Sequence, residues 1–200
     1  MISCPIARST AKAKRLEVRA ALQPWQQEIL QTWFEDLEPS DWYASSDVVD
    51  DMLRERFGEA LEREGAHGPD LFLNNSDVAL AAIILFDQIP RNIHHGTAKA
   101  FAWGPLAQSL AREYATRGWL EGEPSERCQF ALMPLMHSEH LSDQELSLEL
   151  FARFAPGALD YARSHHEMIE RFGRFPHRND TLGRETTAEE QRAIDAGFSW

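Results

Sequence analysis

The chain has almost no cysteine, since only Cys4 and Cys128 carry thiols among its 200 residues. Two cysteines cannot build a disulfide framework or a four-thiolate zinc site, so small disulfide-rich folds and zinc ribbons are excluded. Long apolar runs are missing as well. The longest, "VALAAIILF" at 78–86, has nine residues, whereas a membrane-spanning helix needs about 20. This composition predicts a protein of a reducing compartment with no membrane partner, in which residues 78–86 form a buried helix.

Basic charge is also scarce. The chain has 20 Lys and Arg residues against 32 Asp and Glu residues, for a formal net charge of −12. A field of this sign repels a phosphate backbone, so we expect no nucleic-acid partner. Residues 1–22 are locally basic but lack the continuous apolar segment of a secretory signal peptide. We therefore expect them to be a flexible N-terminal extension of a cytoplasmic protein whose residues 23–200 form a single domain.

No stretch alternates apolar and polar residues with the period of a β-strand, and the apolar residues recur instead at helical spacing. Trp25, Ile29 and Trp33, for example, follow one another at four-residue steps just after Pro24, which a first helical turn tolerates. The segments between these patterns are short, and short connections favour antiparallel neighbours. The sequence thus predicts an all-α fold of about eight helices in antiparallel pairs.

Several helix ends can be placed from capping residues and prolines. We expect Ser76 to cap the apolar third helix and Pro90 to end it, because proline lacks an amide hydrogen. "SDQE" at 142–145 and "TAEE" at 187–190 have the spacing of a capping box, which predicts that a helix starts at each. Gly173 is expected to end the helix that precedes the most basic segment of the chain.

That segment, "RFGRFPHRNDTLGR" at 171–184, contains four arginines and a single acid. The planar guanidinium fork matches a carboxylate or a phosphate, so the segment predicts one wall of an anion-binding pocket. Its irregular middle part supplies the ligand-binding candidates Arg174, His177, Arg178 and Asn179. The alternative is structural: arginines such as Arg171 and Arg184 would form ordinary salt bridges with acids close by in the sequence, such as Glu170 and Glu185.

A second segment echoes the first. "IPRN" at 89–92 and "PHRN" at 176–179 each place an Arg-Asn pair just after a proline, and the two corners could face each other. Asp87 and Gln88 directly precede the first corner at the end of an apolar run, where buried polar groups need partners, and an arginine is the simplest partner for Asp87. We therefore add Asp87, Gln88, Arg91 and Asn92 to the ligand-binding candidates. Coincidence is the alternative, because a four-letter echo is a weak motif.

Histidines form the remaining polar motifs. "HSEH" at 137–140 offers three potential ligands, but their spacing is not that of zinc enzymes, so we predict no metal and no cofactor. Glu139 is expected to orient an arginine or a histidine of the pocket. His165 lies on an apolar helix stripe, which usually marks a core residue, although a histidine also suits general acid–base chemistry. If the protein catalyses a reaction, the candidates are His137, Glu139, His165 and His177.

Four segments, "WQQEILQTWF", "IILFDQIPRN", "MPLMHSEH" and "YARSHHEMIERFGRFPHRNDTLGR", resemble the bacterial family known as domain of unknown function 924, over about residues 25–198. The resemblance implies an all-helical, tetratricopeptide-like fold and implies no activity, substrate or cofactor. The residues that match the family's pattern are Asp87, Gln88, Pro90, Arg91, Asn92, His137, Ser138, Glu139, His165, Phe172, Gly173, Arg174, Pro176, His177, Arg178, Asn179, Gly183 and Arg184.

Two functions fit these observations. In the first, a closed polar pocket takes a small anionic molecule. In the second, stacked helix pairs present a groove to a peptide or protein partner, and the polar motifs only hold the corners together. The distinctive polar residues gather in three short segments near helix ends rather than along an extended face, which favours the pocket. A third interpretation is a buried polar network that specifies the packing.

Overall fold

The computed structural model describes residues 22–43 and 46–198, and these contain helices and no strand. The α-helices are α1 (Pro24–Gln31), α2 (Asp47–Glu64), α3 (Ser76–Ile83), α4 (Ile89–Ile93), α5 (Gly104–Thr116), α6 (Ser125–Met136), α7 (Leu141–Phe154), α8 (Leu159–Phe172) and α9 (Ala188–Asp195). Shorter 3₁₀ turns cover Pro69–Phe72, Ala98–Phe101, Pro156–Ala158 and Pro176–Arg178. The predicted all-α class is confirmed. The predicted N-terminal extension lies outside the described residues apart from Leu22, and the single-domain assignment stays a prediction.

Helix α3 does not end at Pro90, contrary to the prediction. It passes through a π-helical segment, Ile84–Gln88, directly into α4, so that α3 and α4 form one continuous rod. The wider π turn closes with the amide of Ile89 donating to the carbonyl of Ile84, which places Pro90 in the first turn of α4. A missing amide hydrogen removes no helical bond at that position. Because the rod continues, Arg91 lies one turn beyond Asp87 on the same face.

The predicted helix starts were partly correct. Thr187 and Glu190 form the expected capping box, with the Thr187 hydroxyl accepting from the Glu190 amide at 3.2 Å. The third helix is capped by Asn75 rather than by Ser76, since the Asn75 side chain accepts from the amide of Val78. The capping box predicted at 142–145 does not form, because α7 already begins at Leu141.

The apolar rod α3 lies at the centre of the core, as its sequence predicted. It packs against α1, α5 and α6, and Leu80, Ile83 and Leu85 are fully buried. No helix within residues 22–43 and 46–198 combines the length and apolar character needed to cross a bilayer.

The three helices α6, α7 and α8 bring the polar motifs together. Helix α7 packs against both α6 and α8, and the connections at 137–140 and 155–158 are short, so neighbouring helices run antiparallel. Helices α6 and α8 consequently run in the same direction and end on the same side of the molecule. The "HSEH" segment follows α6 and the arginine-rich segment follows α8, so both lie on that side.

Helix α8 ends at Gly173 as predicted, and the chain there turns back over the end of α6. Gly173 adopts a left-handed conformation with φ of 67°, which glycine enters without steric cost. A small second apolar cluster follows, built by Met168, Ile169, Phe175 and Ala193. This cluster ties α8, the arginine-rich segment and α9 to one another.

Candidate functional site

A cavity of about 740 Å³ opens where the predicted polar segments meet. Its volume is that of small-molecule sites, which range from roughly 300 to 1,000 Å³. Its walls come from the chain before α2, the rod α3–α4, the segment after α4, helices α6 and α8, and the arginine-rich segment. The lining residues are Trp42, Tyr43, Asp50, Gln88, Arg91, Asn92, His95, Gly96, Ala100, Phe101, Gln129, Met133, Met136, His137, Ala158, Tyr161, His165, His177, Arg178 and Thr181.

Arg178 is the most unusual group of the cavity, because it is a buried cation without a carboxylate. Its side chain lies between the rings of Phe101 and Phe175, with 4.9 and 4.2 Å from the guanidinium carbon to the ring centroids. Nη1 donates to the carbonyl oxygen of His137 at 3.1 Å. Arg178 is 7% exposed, and no acid among the described residues forms an ion pair with it. Burial and the nearby charge of Arg91 lower the pKa of Arg178 to about 9.

Arg91, the arginine of "IPRN", lies near the Phe101 ring as well. Its guanidinium carbon is 5.4 Å from the Phe101 centroid, and its Nη2 is 3.4 Å from Oδ1 of Asp87. The arginines of "IPRN" and "PHRN" therefore lie over one shared aromatic ring and line one cavity. Arg91 has Asp87 as its ion-pair partner, but its charge still acts on Arg178 and lowers the pKa of that guanidinium, so the two cations repel each other.

Asp87 and His137 form a buried pair behind the arginines. His137 Nδ1 is 2.9 and 2.8 Å from the two carboxylate oxygens of Asp87, and Gln88 Nε2 donates to the same carboxylate. Burial alone would raise the pKa of Asp87, but the hydrogen bonds and the charge of Arg91 lower it. Since an ionised carboxylate only accepts hydrogen bonds, Nδ1 of His137 carries the proton and Nε2 presents a lone pair. Asp87 does not line the cavity, so Nε2 is on the cavity side of the ring.

Two further imidazoles border the same space. The His165 ring centroid is 5.9 Å from that of His137, and its Nδ1 donates to the carbonyl of Tyr161 at 2.8 Å. Phe175 lies between His165 and His177, with centroids at 5.5 and 5.7 Å. Burial, reinforced by the neighbouring arginines, lowers the pKa of His137 and His177 to about 4 and that of His165 to about 3. All three rings are consequently neutral near neutral pH.

Besides Asp87, two of the predicted ligand-binding residues, Arg174 and Asn179, do not line the cavity. Arg174 forms a two-pronged ion pair with Glu190, at 2.6 Å from Nε to Oε1 and 2.9 Å from Nη2 to Oε2. Asn179 is fully buried, and its Nδ2 is 3.3 Å from the Thr186 hydroxyl. Both residues hold the arginine-rich segment to α9. The structure thus places these two predicted ligand-binding residues outside the cavity lining, whereas Asn92 lines the cavity and donates to Asp50 Oδ1 at 2.9 Å.

Glu139, one of the predicted catalytic candidates, makes structural contacts with the arginine-rich segment. It does not line the cavity, and its carboxylate accepts from Arg184 Nη1 at 2.8 Å, from Arg184 Nη2 at 3.0 Å and from the amide of Phe175 at 2.8 Å. This clamp joins the "HSEH" corner to the arginine-rich segment. Arg184 therefore pairs with Glu139 and not with an acid close by in the sequence, while Arg171 pairs with Glu189.

The aromatic and thioether walls of the cavity were not predicted. Phe101, Tyr161 and Met133 line it, and nothing in the local sequence of Phe101 or Tyr161 marks them as different from core or surface residues. A usable signal did exist for Met133, which precedes His137 by one helical turn and so shares its face. Within the described residues no cluster of three His, Cys, Asp or Glu side chains is arranged to hold a metal ion.

Comparison with known proteins supports the fold. A sequence profile of a family described as bacterial proteins of unknown function, DUF924, matches residues 29–197. The structure is similar to that of a protein of unknown function from Agrobacterium tumefaciens, with a TM-score of 0.81 and 32% sequence identity, over 86% of this chain and 97% of that one. No protein with a curated description matches the chain. None of these likenesses carries an activity, so the function is argued from the cavity.

Proposed function

Because the chain belongs to the bacterial family DUF924, whose function is unknown, we propose its function from its own site. The chain binds a small anionic ligand, through a carboxylate or phosphate head, in the cavity formed beside Arg91 and Arg178. The observation that carries this proposal is the buried guanidinium of Arg178, which has no carboxylate partner among the described residues.

A buried charge is costly unless it is paired. Transfer of an ion into a protein interior costs several kcal/mol even after relaxation, so buried arginines are normally found against acids. Arg178 instead faces a cavity and a second arginine, with one hydrogen bond to a backbone carbonyl. An anion in the cavity would offset both its burial and its repulsion from Arg91, and the guanidinium fork suits a carboxylate or phosphate.

The imidazoles give this ligand further polar partners. Neutral rings can donate to an anionic oxygen or accept from a hydroxyl, and a bound anion would favour their protonated forms. Asp87 holds His137 in the tautomer that carries its proton on Nδ1 and its lone pair on Nε2. This is the arrangement of a general base. We include in the proposal that His137 exchanges a proton with the bound ligand.

Thermal unfolding in the presence of sulfate, phosphate and acetate tests the proposal. We expect at least one of these anions to raise the melting temperature of the parent protein, because a ligand that binds only the folded state stabilises it. Arg178→Gln should abolish that shift and Arg91→Gln should reduce it. Arg171→Gln is the matched control, because Arg171 is an exposed cation of the same segment that pairs with Glu189 outside the cavity.

The control variant should respond to the anions as the parent does. An equal loss of the shift in Arg171→Gln would mean that the anions act through general surface charge, and the proposal would fail. It would also fail if none of the three anions stabilised the parent protein.

A further inference from the structure

We infer that the ligand is an organic anion with one charged head and an apolar body, and that it enters head first between the aromatic side chains of Tyr43 and Tyr161. This inference rests on the proposed anion site and adds the class of molecule that the site takes. It follows from how polar and apolar side chains are distributed along the two helices that form the cavity wall.

The charged end of the cavity is confined to one place. Arg91 and Arg178 share the ring of Phe101, and His137 and His165 lie against each other beside them. Asp50 is the one carboxylate that lines the cavity in the described part of the chain, and Asn92 holds it near the Arg91 corner. Since Asp87 pairs with Arg91 and Asp50 lies near the same corner, Arg178 is the cavity cation left without an ion pair among the described residues, so the cavity offers charge for a single head.

Helix α6 leads away from this charged end. Gln129, Met133, Met136 and His137 line the cavity, and their spacing of four, three and one residues places them on a single helix face. The distance from residue 129 to residue 137 along the helix is about 12 Å. His137 lies at the charged end, so the wall that follows toward the N-terminus of α6 is made of thioethers, which suit apolar ligands of varied shape.

Along helix α8 the lining residues change from polar to apolar in the same direction. Tyr161 and His165 both line the cavity, and Tyr161 precedes His165 by one turn. Since α6 and α8 run in parallel, Tyr161 and Met133 both lie about one turn away from the histidine end. The two helices thus form a channel whose inner end is polar and whose outer part is apolar.

The outer end is an aromatic mouth. Tyr43 and Tyr161 are 63% and 61% exposed although both line the cavity. They are close enough for Tyr161, together with burial, to raise the pKa of Tyr43. The Tyr43 hydroxyl accepts from Gln129, the cavity-lining residue of α6 that is furthest from His137. Trp42 packs beside Tyr43 at 6.3 Å between ring centroids. An inorganic ion bound at the arginines would contact none of these apolar surfaces.

A series of carboxylates tests the inference: acetate, hexanoate and 4-phenylbutyrate, with neutral 4-phenylbutyramide as the uncharged analogue. Affinities are measured by calorimetric titration of the full chain. We expect 4-phenylbutyrate and hexanoate to bind at least about tenfold more tightly than acetate, because methylene and ring surface is removed from water. The amide should bind at least about tenfold more weakly than its acid, because it lacks the charge that Arg178 requires.

Tyr161→Ala is the diagnostic variant. Its side chain is largely exposed, and the hydrogen bond to His165 uses the backbone carbonyl, which the substitution keeps. We expect affinity for 4-phenylbutyrate to fall roughly threefold to tenfold and affinity for acetate to stay unchanged, since one aromatic contact is lost. Leu71→Ala is the control, because Leu71 is 57% exposed and does not line the cavity; both affinities should then match those of the parent.

The outcomes separate the two proposals. Equal affinity for acetate and the larger acids, or no effect of Tyr161→Ala, would overturn the apolar body while the anion site stood. Tight binding of the neutral amide would overturn the charged head. No binding of any of these acids, together with no response to sulfate or phosphate, would overturn the anion site and this inference with it.

Discussion

Arg127 and Arg178 are buried to nearly the same degree, at 6% and 7% exposure, but they differ in their partners. Arg127 bonds to Asp77, and its Nε is 2.6 Å from Oε2 of Glu123. Arg178 forms no ion pair among the described residues: it donates to a backbone carbonyl and lies against two aromatic rings, and the carboxylates of Glu139 and Asp87 act on it from beyond ion-pair distance. Burial alone therefore does not make an arginine structural. What decides its role is whether the protein itself supplies the counter-charge.

Arg127→Gln is expected to have the largest effect. It leaves the buried carboxylate of Asp77 without its cation, and breaking a buried pair in this way costs about 3–5 kcal/mol. The free energy of unfolding, measured by urea denaturation at neutral pH, should fall by that amount. A loss below about 1 kcal/mol would show that Arg127 is not the structural counterpart assumed in the comparison.

The Arg178 region should also respond to pH, because three buried histidines lie in it. Burial lowers the pKa of His137 and His177 to about 4 and of His165 to about 3, below the value of about 6.5 in an unfolded chain. Between these values the unfolded chain binds more protons, so stability is fully present above about pH 6.5 and is lost as the pH falls toward 4. For three such groups we expect a loss of about 5 kcal/mol between about pH 7 and pH 5.

Denaturation at both pH values measures this loss, and two asparagine variants identify its source. His165→Asn should make stability less dependent on pH, because it removes one of the three groups. His67→Asn changes an exposed histidine far from the cavity lining and should leave the pH dependence as it is. The same pH dependence in all three proteins would mean that the buried imidazoles are not its cause.

Arg184→Gln should have an intermediate effect. Arg184 reaches Glu139 with two donors and the carbonyl of Phe175 with one, but its side chain is partly exposed, so we expect a loss of about 1–3 kcal/mol. Arg171→Gln, in an exposed pair with Glu189, should cost less than about 1 kcal/mol. Chemical denaturation of the two variants side by side checks the difference. Equal losses would mean that the clamp to Glu139 adds nothing beyond a surface ion pair.

The sequence predicts much of this fold because helical periodicity and capping are local. The Thr187 capping box and the end of α8 at Gly173 depend on residues within one turn, and both were predicted correctly. The box expected at 142–145 failed because α7 already begins at Leu141, so that Ser142 lies inside the helix rather than at its N-cap. The prediction that Pro90 ends the helix was wrong, because the apolar pattern is the same in an α-helical turn and in a π-helical turn.

The sequence marked the polar segments that meet at the cavity, but it could not separate the contacts that their members make. In the sequence, Arg174, Arg178 and Arg184 look alike, since each lies in one basic segment. Their roles differ because they pair with acids outside the segment. Arg174 pairs with Glu190, beyond the end of the segment, and Arg184 pairs with Glu139, far before its start. Arg178 is the cation that faces the cavity, because Arg174 and Arg184 pair with acids. Only the tertiary structure shows which acids lie beside each arginine.

Arg178→Gln should have the smallest effect on stability, and it is the sharpest test of the comparison. The substitution removes a hydrogen bond to His137 and the contacts with two rings, which destabilises the protein. It also removes a desolvated charge and its repulsion from Arg91, which stabilises it. We expect these changes to cancel within about 1 kcal/mol, with a melting temperature equal to or above that of the parent. Arg178→Lys keeps the charge but loses the planar fork, so it should be less stable than Arg178→Gln. Thermal unfolding without added anions measures both. If Arg178→Gln instead unfolds the protein as Arg127→Gln is expected to, the cavity arginine is structural and the anion-binding proposal is wrong.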